Sequence, residues 1–167
     1  YAGKVSLKLR KKGLTKEIKE DNTPVSNGDL EVNRILTEKI IDLTPQIPIV
    51  SEETSHNKSK KDLKNFWLVD PIDGTYDYIN DLDEFTLNAG LIINYRAVAG
   101  IIYAPAKNRL FYSYEKGCSF EIINNKHVKL DCSKISSNKL KFVSYSNKLK
   151  PEINKIYQSM NVSEFKR

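Results

Sequence analysis

Phe66-Trp67-Leu68-Val69, followed by Asp70-Pro71-Ile72-Asp73-Gly74-Thr75, is the stretch on which the reading of this chain turns. The four apolar residues read as a buried strand. The hexapeptide sets two carboxylates where that strand ends in a sharp turn. Pro71 removes a backbone donor and fixes φ. Gly74 permits positive φ or a close backbone approach. Thr75 brings a hydroxyl to the start of a helix. Acidic oxygens, a bared carbonyl at Ile72 and free amides after Gly74 suit a hard divalent cation that holds a phosphate. The competing reading is a plain Asp-Gly turn, which is common.

Upstream residues weigh against that competitor. In Ile49-Val50-Ser51-Glu52-Glu53 a short apolar run again ends in adjacent acids. If Ile49-Val50 and Trp67-Leu68-Val69 are neighbouring strands, Glu52 arrives beside Asp70. Two unit charges ~4 Å apart repel by roughly 4 kcal/mol at an effective dielectric of about 20. Such a cluster either binds metal or raises a pKa. Mg²⁺ fits, because it takes a few carboxylates and keeps several waters and substrate phosphate. Glu53 competes with Glu52, since either can face inward from an irregular loop.

These residues resemble the signature of the inositol monophosphatase superfamily, the lithium-sensitive, Mg²⁺-dependent phosphatases. Within it, the chain most resembles the 3'(2'),5'-bisphosphate nucleotidases. Lys19-Glu20-Asp21-Asn22-Thr23-Pro24-Val25-Ser26 is similar to that group's Lys-x-Asp-x-Ser-Pro-Val-Thr. Glu84-Phe85-Thr86-Leu87-Asn88 is similar to its Glu-Phe-Thr-Val-Asn. After Thr75 the group carries Lys-Glu-Phe, and this chain departs with Tyr76-Asp77-Tyr78.

The resemblance implies a site residue by residue. Glu52, Asp70 and Asp73 ligate Mg²⁺ through carboxylates, and Ile72 through its carbonyl. Thr75, paired with Asp29, orients or deprotonates the attacking water. Amides around Gly74 and Thr75 hold the phosphate. Each role has a structural rival. Ser26-Asn27-Gly28-Asp29 also reads as a capping box, with Asp29 reaching back to the Ser26 amide. Thr75 also reads as a helix cap. These roles are compatible with the catalytic ones.

Composition bounds the rest. The 167 residues suffice for one domain with a core, and 40% hydrophobic with 29% charged residues fits a folded globular chain. No apolar run approaches the roughly 20 residues of a membrane span. Cys118 and Cys132 lack metal spacing and read as reduced thiols, as in a cytoplasmic protein. A net charge of +6 attracts anions in general. No aromatic-interleaved basic stripe supports nucleic-acid recognition, and Lys58-Ser59-Lys60-Lys61 reads as a solvated loop. His56 and His127 have no organised partners and read as structural or solvated.

Val5 to Leu14 reads as a short helix stopping near Gly13. Leu30, Ile35, Leu36, Ile40 and Leu43 predict a second, ended by Pro45. Ile47 to Val50 and Phe66 to Val69 are strands. Thr86 to Asn94 and Ala97 to Tyr103 read as a hairpin. Leu110 to Tyr114, Ser119 to Ile123 and His127 to Leu130 continue it as a meander, with Leu140 to Tyr145 a further strand. Pro151 opens a last helix carrying Ile153, Ile156, Tyr157 and Met160 on one side. The order predicts an α+β fold. It matches the family's first domain, helices packed on a large antiparallel sheet, over residues 1–167.

By resemblance, the family continues into a second α/β domain with a further metal-ligating Asp, to which nothing here corresponds. The chain therefore reads as a first domain that is a fragment, a split-gene product or a truncation, weakly active or inactive alone, with pairing to the missing part left open. The expected reaction is hydrolysis of the 3'-phosphate of adenosine 3',5'-bisphosphate, a small phosphorylated nucleotide arising in sulfate activation. An inositol or sugar phosphate substrate is the first rival, and a non-catalytic remnant the second. Cytoplasmic residence is expected, with peripheral association at the inner membrane left open. Oligomeric state is not legible.

Overall fold

Helix α1 (Ala2–Lys12) stops at Gly13, whose φ of 94° suits glycine. A two-stranded antiparallel ribbon follows, β1 (Lys16–Ile18) and β2 (Pro24–Ser26). Helix α2 (Asn27–Leu43) begins at the Ser26 cap. The chain then enters β3 (Ile49–Ser51) and β4 (Phe66–Asp73), turns through the short helix α3 (Thr75–Ile79), and runs as a meander. Its strands are β5 (Thr86–Ile93), β6 (Arg96–Ala104), β7 (Arg109–Tyr114), β8 (Ser119–Ile123) and β9 (Lys126–Lys129). The computed structural model describes residues 1–54, 63–131, 140–144, 149–160 and 162–166. Lys58-Ser59-Lys60-Lys61, His56, Cys132 and Tyr145 lie outside them.

Two compact units divide the chain, residues 1–130 and 131–167. The first holds a seven-stranded sheet in the order β3-β4-β5-β6-β7-β8-β9. The expected large antiparallel sheet forms, with one parallel pair at its edge. It is mixed, because β3 pairs parallel to β4 while the other neighbours are antiparallel. The long connection over residues 52–65 permits this, since a parallel neighbour needs a crossover and not a tight turn. The expected hairpins form. Asn94 and Tyr95 take φ 50° and 60°, and Asn124 and Asn125 the same pair of values, the backbone that two-residue hairpin turns require.

The core lies between the helices and one face of the sheet. Val32, Ile72, Tyr78, Phe85 and Leu87 form one cluster, and Ile40, Val69 and Ala89 a second against Trp67 and Ile49. The buried stripe of α2 differs from the expected one. Leu30 and Leu43 are exposed, whereas Asp29, Val32, Asn33 and Ile40 are buried. The helix turns two polar residues inward because each finds a partner there, and that rotates the apolar stripe.

The second unit is a β-α-β arrangement. β10 (Leu140–Val143) and β11 (Val162–Lys166) pair in parallel, joined through α4 (Pro151–Ser159). Phe142 meets Tyr157 edge-on, with ring centroids 5.3 Å apart. Among the described residues of α4 none is buried, so its apolar face is exposed at Ile153 and Ile156. The further strand expected from Leu140 is thus the first of a parallel pair. β11 had no sequence expectation.

Tyr78 is fully buried, and its hydroxyl donates to the Ser6 carbonyl at 2.8 Å. Burial pushes its pKa up to about 12. Gly28 sits against this ring, and a Cβ there would lie 2.4 Å from the Tyr78 Oη. Gly28→Ala is therefore expected to destabilise the fold by roughly 1–3 kcal/mol. The measurement is the urea midpoint, which should fall at unchanged m.

Candidate active site

Parallel pairing decides where the acids go. Ile49 lies opposite Trp67 and Ser51 opposite Val69, and the Glu52 amide donates to the Val69 carbonyl at 3.1 Å. Glu52 thereby emerges beside Asp70, as the sequence expectation required. On the other side of β4, Asp70 pairs with Asn88 and Asp73 with Thr86. The register slips between Asp70 and Asp73, where Pro71 has no amide to give the ladder. Pro71 and Ile72 are buried there, and Asp73 is exposed.

Gly74 makes the turn possible. Its φ is 88°, and a Cβ on it would lie 2.6 Å from the Glu84 carbonyl oxygen. Thr75 then starts α3. Its Oγ1 lies 3.0 Å from Asp29 Oδ1 and 3.0 Å from the Ile72 carbonyl. Asp29 is 1% exposed, and its other oxygen accepts from the Ser26 amide at 2.9 Å and the Ser26 hydroxyl at 2.6 Å. The capping box and the Thr75 pairing therefore coexist on one carboxylate.

One turn further along α2, Asn33 performs a parallel task. Its Oδ1 accepts from the Ser51 hydroxyl at 2.6 Å, both residues being buried. Helix α2 thus grips both halves of the site, the turn through Asp29 and the end of β3 through Asn33. Sequence reading missed Asn33 and Ser51. The available signal was a polar residue four positions after Asp29, on the same helix face.

The acids beyond Ser51 meet a cation from the ribbon. Lys19 Nζ lies 2.7 Å from Glu53 Oε1 and 3.3 Å from Glu52 Oε1. Burial alone would lower the Lys19 pKa, but hydrogen bonds and charges from Glu53 and Glu52 outweigh it and raise the value. Glu53 is the more buried acid, and its pKa is raised by burial against the opposing pull of Lys19. Lys19 was quoted in the sequence only as part of a motif; its pairing needed the fold.

Asp70 carries the strongest perturbation. Burial pushes its carboxyl up to about 7, and the charges of Glu52 and Asp73 add to this. Its Oδ1 is buried with no hydrogen-bond partner, and so is Asn88 Oδ1. Unpaired buried acceptors, an oxygen-only donor set and three neighbouring carboxylates fit a hard divalent cation. Glu52, Asp70, Asp73 and the second lone pair of the Ile72 carbonyl could hold it. Among the described residues no three His, Cys, Asp or Glu side chains are gathered closely enough to hold a metal ion by themselves. The arrangement is open to solvent on the Asp73 side, and Asp70 borders a groove of about 1110 Å³ along the sheet face opposite the helices. His127 is not involved, its Nδ1 lying 2.6 Å from the Tyr112 hydroxyl on a distant strand pair.

The chain matches the inositol monophosphatase family over residues 1–164. It belongs to that family. A 3'(2'),5'-bisphosphate nucleotidase, CysQ, of Aggregatibacter actinomycetemcomitans is 38% identical over 121 residues, covering 71% of this chain and 45% of that protein. The chain spans less than half the length of the curated relatives it matches here and in Haemophilus influenzae. The solved CysQ of Bacteroides thetaiotaomicron has the same fold, with TM-score 0.70 and 22% identity over 99% of this chain and 68% of that one. So does an IMPase/NADP phosphatase complexed with Mg²⁺ and phosphate, with TM-score 0.77 and 14% identity over 98% of this chain and 60% of that one. No helix among the described residues is long and apolar enough to cross a membrane.

Two outcomes follow from this geometry. A carboxyl whose folded pKa lies above its unfolded value costs stability once it ionises. The cost is absent below about pH 4 and grows until pH passes the folded value near 7. In EDTA, Asp70→Asn is therefore expected to melt higher than the parent at pH 8, with the difference vanishing at pH 4. Ser51→Ala leaves the buried Asn33 Oδ1 without its donor, and is expected to cost roughly 1–3 kcal/mol in urea unfolding.

Proposed function

We propose that the protein is a Mg²⁺-dependent 3'(2'),5'-bisphosphate nucleotidase. It removes the 3'-phosphate of adenosine 3',5'-bisphosphate to leave AMP and phosphate, clearing a by-product of sulfate activation. The single observation that carries this reading is the Thr75–Asp29 pair, set on the turn that also presents Asp70 and Asp73. The identity to bisphosphate nucleotidases supports the substrate.

Glu52, Asp70, Asp73 and the Ile72 carbonyl would hold the cation. Bound there, Mg²⁺ supplies charge stabilisation and a lowered water pKa. The remaining work belongs to the chain. The Thr75 proton is committed to Asp29 or to the Ile72 carbonyl, so its oxygen is left as an acceptor. The Thr75 oxygen would orient a water and take its proton while passing its own to Asp29 Oδ1. Asp29 holds the hydroxyl in place and is itself held by two Ser26 donors. The amides at Gly74 and Thr75 would hold the phosphate, and the left-handed backbone at Gly74 supports this reading. Phosphoryl transfer asks little more of a protein than positioning and charge stabilisation.

The departure at Tyr76-Asp77-Tyr78 narrows in three dimensions. Tyr78 takes the place of a core aromatic, its ring tilted against Phe85 with centroids 4.9 Å apart. Only Tyr76 and Asp77 differ at the surface, Tyr76 being 63% exposed. That departure, exposed at Tyr76, favours one second reading, an inositol or sugar phosphate as substrate. Residence in the cytoplasm, lithium sensitivity and reliance on a further domain for full activity belong to the same proposal.

The test is phosphate release from adenosine 3',5'-bisphosphate with Mg²⁺, compared with inositol monophosphate. Release that favours the nucleotide, vanishes in EDTA and is abolished by Asp73→Asn is expected. Thr75→Ala should lower the rate by about 10²–10⁴-fold. Preference for inositol monophosphate would overturn the substrate, and release insensitive to Asp73→Asn would overturn the site.

A further inference from the structure

Asn88 is a polar residue in the middle of β5, a strand paired on both sides. Asparagine is depleted in strands, so its presence in this one calls for a cause. It lies opposite Asp70 in the ladder between β4 and β5, and residues directly opposite share a face of the sheet. Its Nδ2 donates to Asp73 Oδ2 at 3.3 Å. Its Oδ1 is buried without a partner, as is Asp70 Oδ1 across the strand pair.

The amide cannot be turned over to relieve this. Reversed, Asn88 would set its oxygen against the Asp73 carboxylate, so Asp73 fixes which end faces where. Two partnerless acceptors at neighbouring positions, both on the acidic edge of the site, share one remedy. A positive centre, or a water bound to it, satisfies both. Asparagine also suits the place electrostatically. It adds an oxygen without adding a fourth negative charge to Glu52, Asp70 and Asp73, whose mutual repulsion is already large.

We propose that Asn88 is a positioning residue of the cation site: its amide nitrogen steadies Asp73, and its carbonyl oxygen accepts from water in the cation's coordination shell beside Asp70. This rests on the metal-dependent reading given above. Asn88 is therefore an outer-shell partner of the metal, reached from the neighbouring strand and not from the Asp-Pro-Ile-Asp motif. Such partners orient the ligands and their loss weakens metal binding.

The experiment titrates the chain with Mn²⁺ alone and follows the free-Mn²⁺ electron paramagnetic resonance signal, below the lowest melting midpoint of any variant. Asn88→Ala removes both polar ends. Asn88→Val does the same while keeping a strand-favouring side chain, which guards against misfolding of the first variant. Both are expected to weaken Mn²⁺ binding by roughly tenfold and to leave the melting midpoint in EDTA within a few degrees of the parent. A lower midpoint in EDTA with unchanged Mn²⁺ affinity would make Asn88 a purely structural residue and overturn the proposal, while the metal reading stood. Unchanged affinity and midpoint would overturn it equally. No Mn²⁺ binding by the parent chain would overturn both.

Discussion

The buried carboxylate of Asp29 joins three pieces of structure that are far apart in sequence or in role. One oxygen closes the start of α2 by accepting from the Ser26 amide and hydroxyl. The other receives Thr75 from the turn after β4. A carboxylate that is almost wholly buried is tolerable only when its lone pairs are filled, and here they are. The helix consequently cannot rotate or slide without breaking its own cap. Asn33, four residues on, uses that fixed helix to hold Ser51 and hence the approach to Glu52. The geometry of the site is inherited from one helix face.

The site is built against the preference of its own charges. Asp70 is half buried, faces Glu52 and Asp73, and has an oxygen without a donor. Lys19 answers part of this by pairing with Glu53 and Glu52. The rest of the repulsion stays with Asp70 and Asp73. Functional sites commonly store such cost, and a rigid surround is what lets them do so. Here the surround is the slipped register at Pro71, the Gly74 turn against Glu84, and the close contact of Gly28 with Tyr78. The exposed ends of the arrangement are Asp73 and Tyr76.

Much of this was legible in residue order. The Asp70–Thr75 hexapeptide named the turn, the acids and the hydroxyl, because proline and glycine constrain the backbone locally. The capping box was readable for the same reason, its partners being three residues apart. The hairpin turns were placed correctly because each opens on an asparagine, Asn94 or Asn124, beside a short gap. Other features were not readable. The hydrophobic pattern of α2 suggested Leu30 and Leu43 as core, and both are exposed. Helical spacing says which residues share a face, but not that Asp29 and Asn33 would be drawn inward by distant partners.

Local covalent chemistry and periodicity therefore determined the elements, the turn and the set of acidic candidates. Tertiary structure decided which of them meet. The parallel docking of β3 on β4 brought Glu52 to Asp70, across an interval that no local rule spans. The antiparallel pairing of β5 on β4 brought Asn88 to Asp73, and packing of the β1–β2 ribbon brought Lys19 to Glu52 and Glu53. The physical reason is that backbone preference acts over a few residues, whereas burial, charge and hydrogen-bond satisfaction act between surfaces. A sequence lists its acids, and only packing chooses the partners that make them a site.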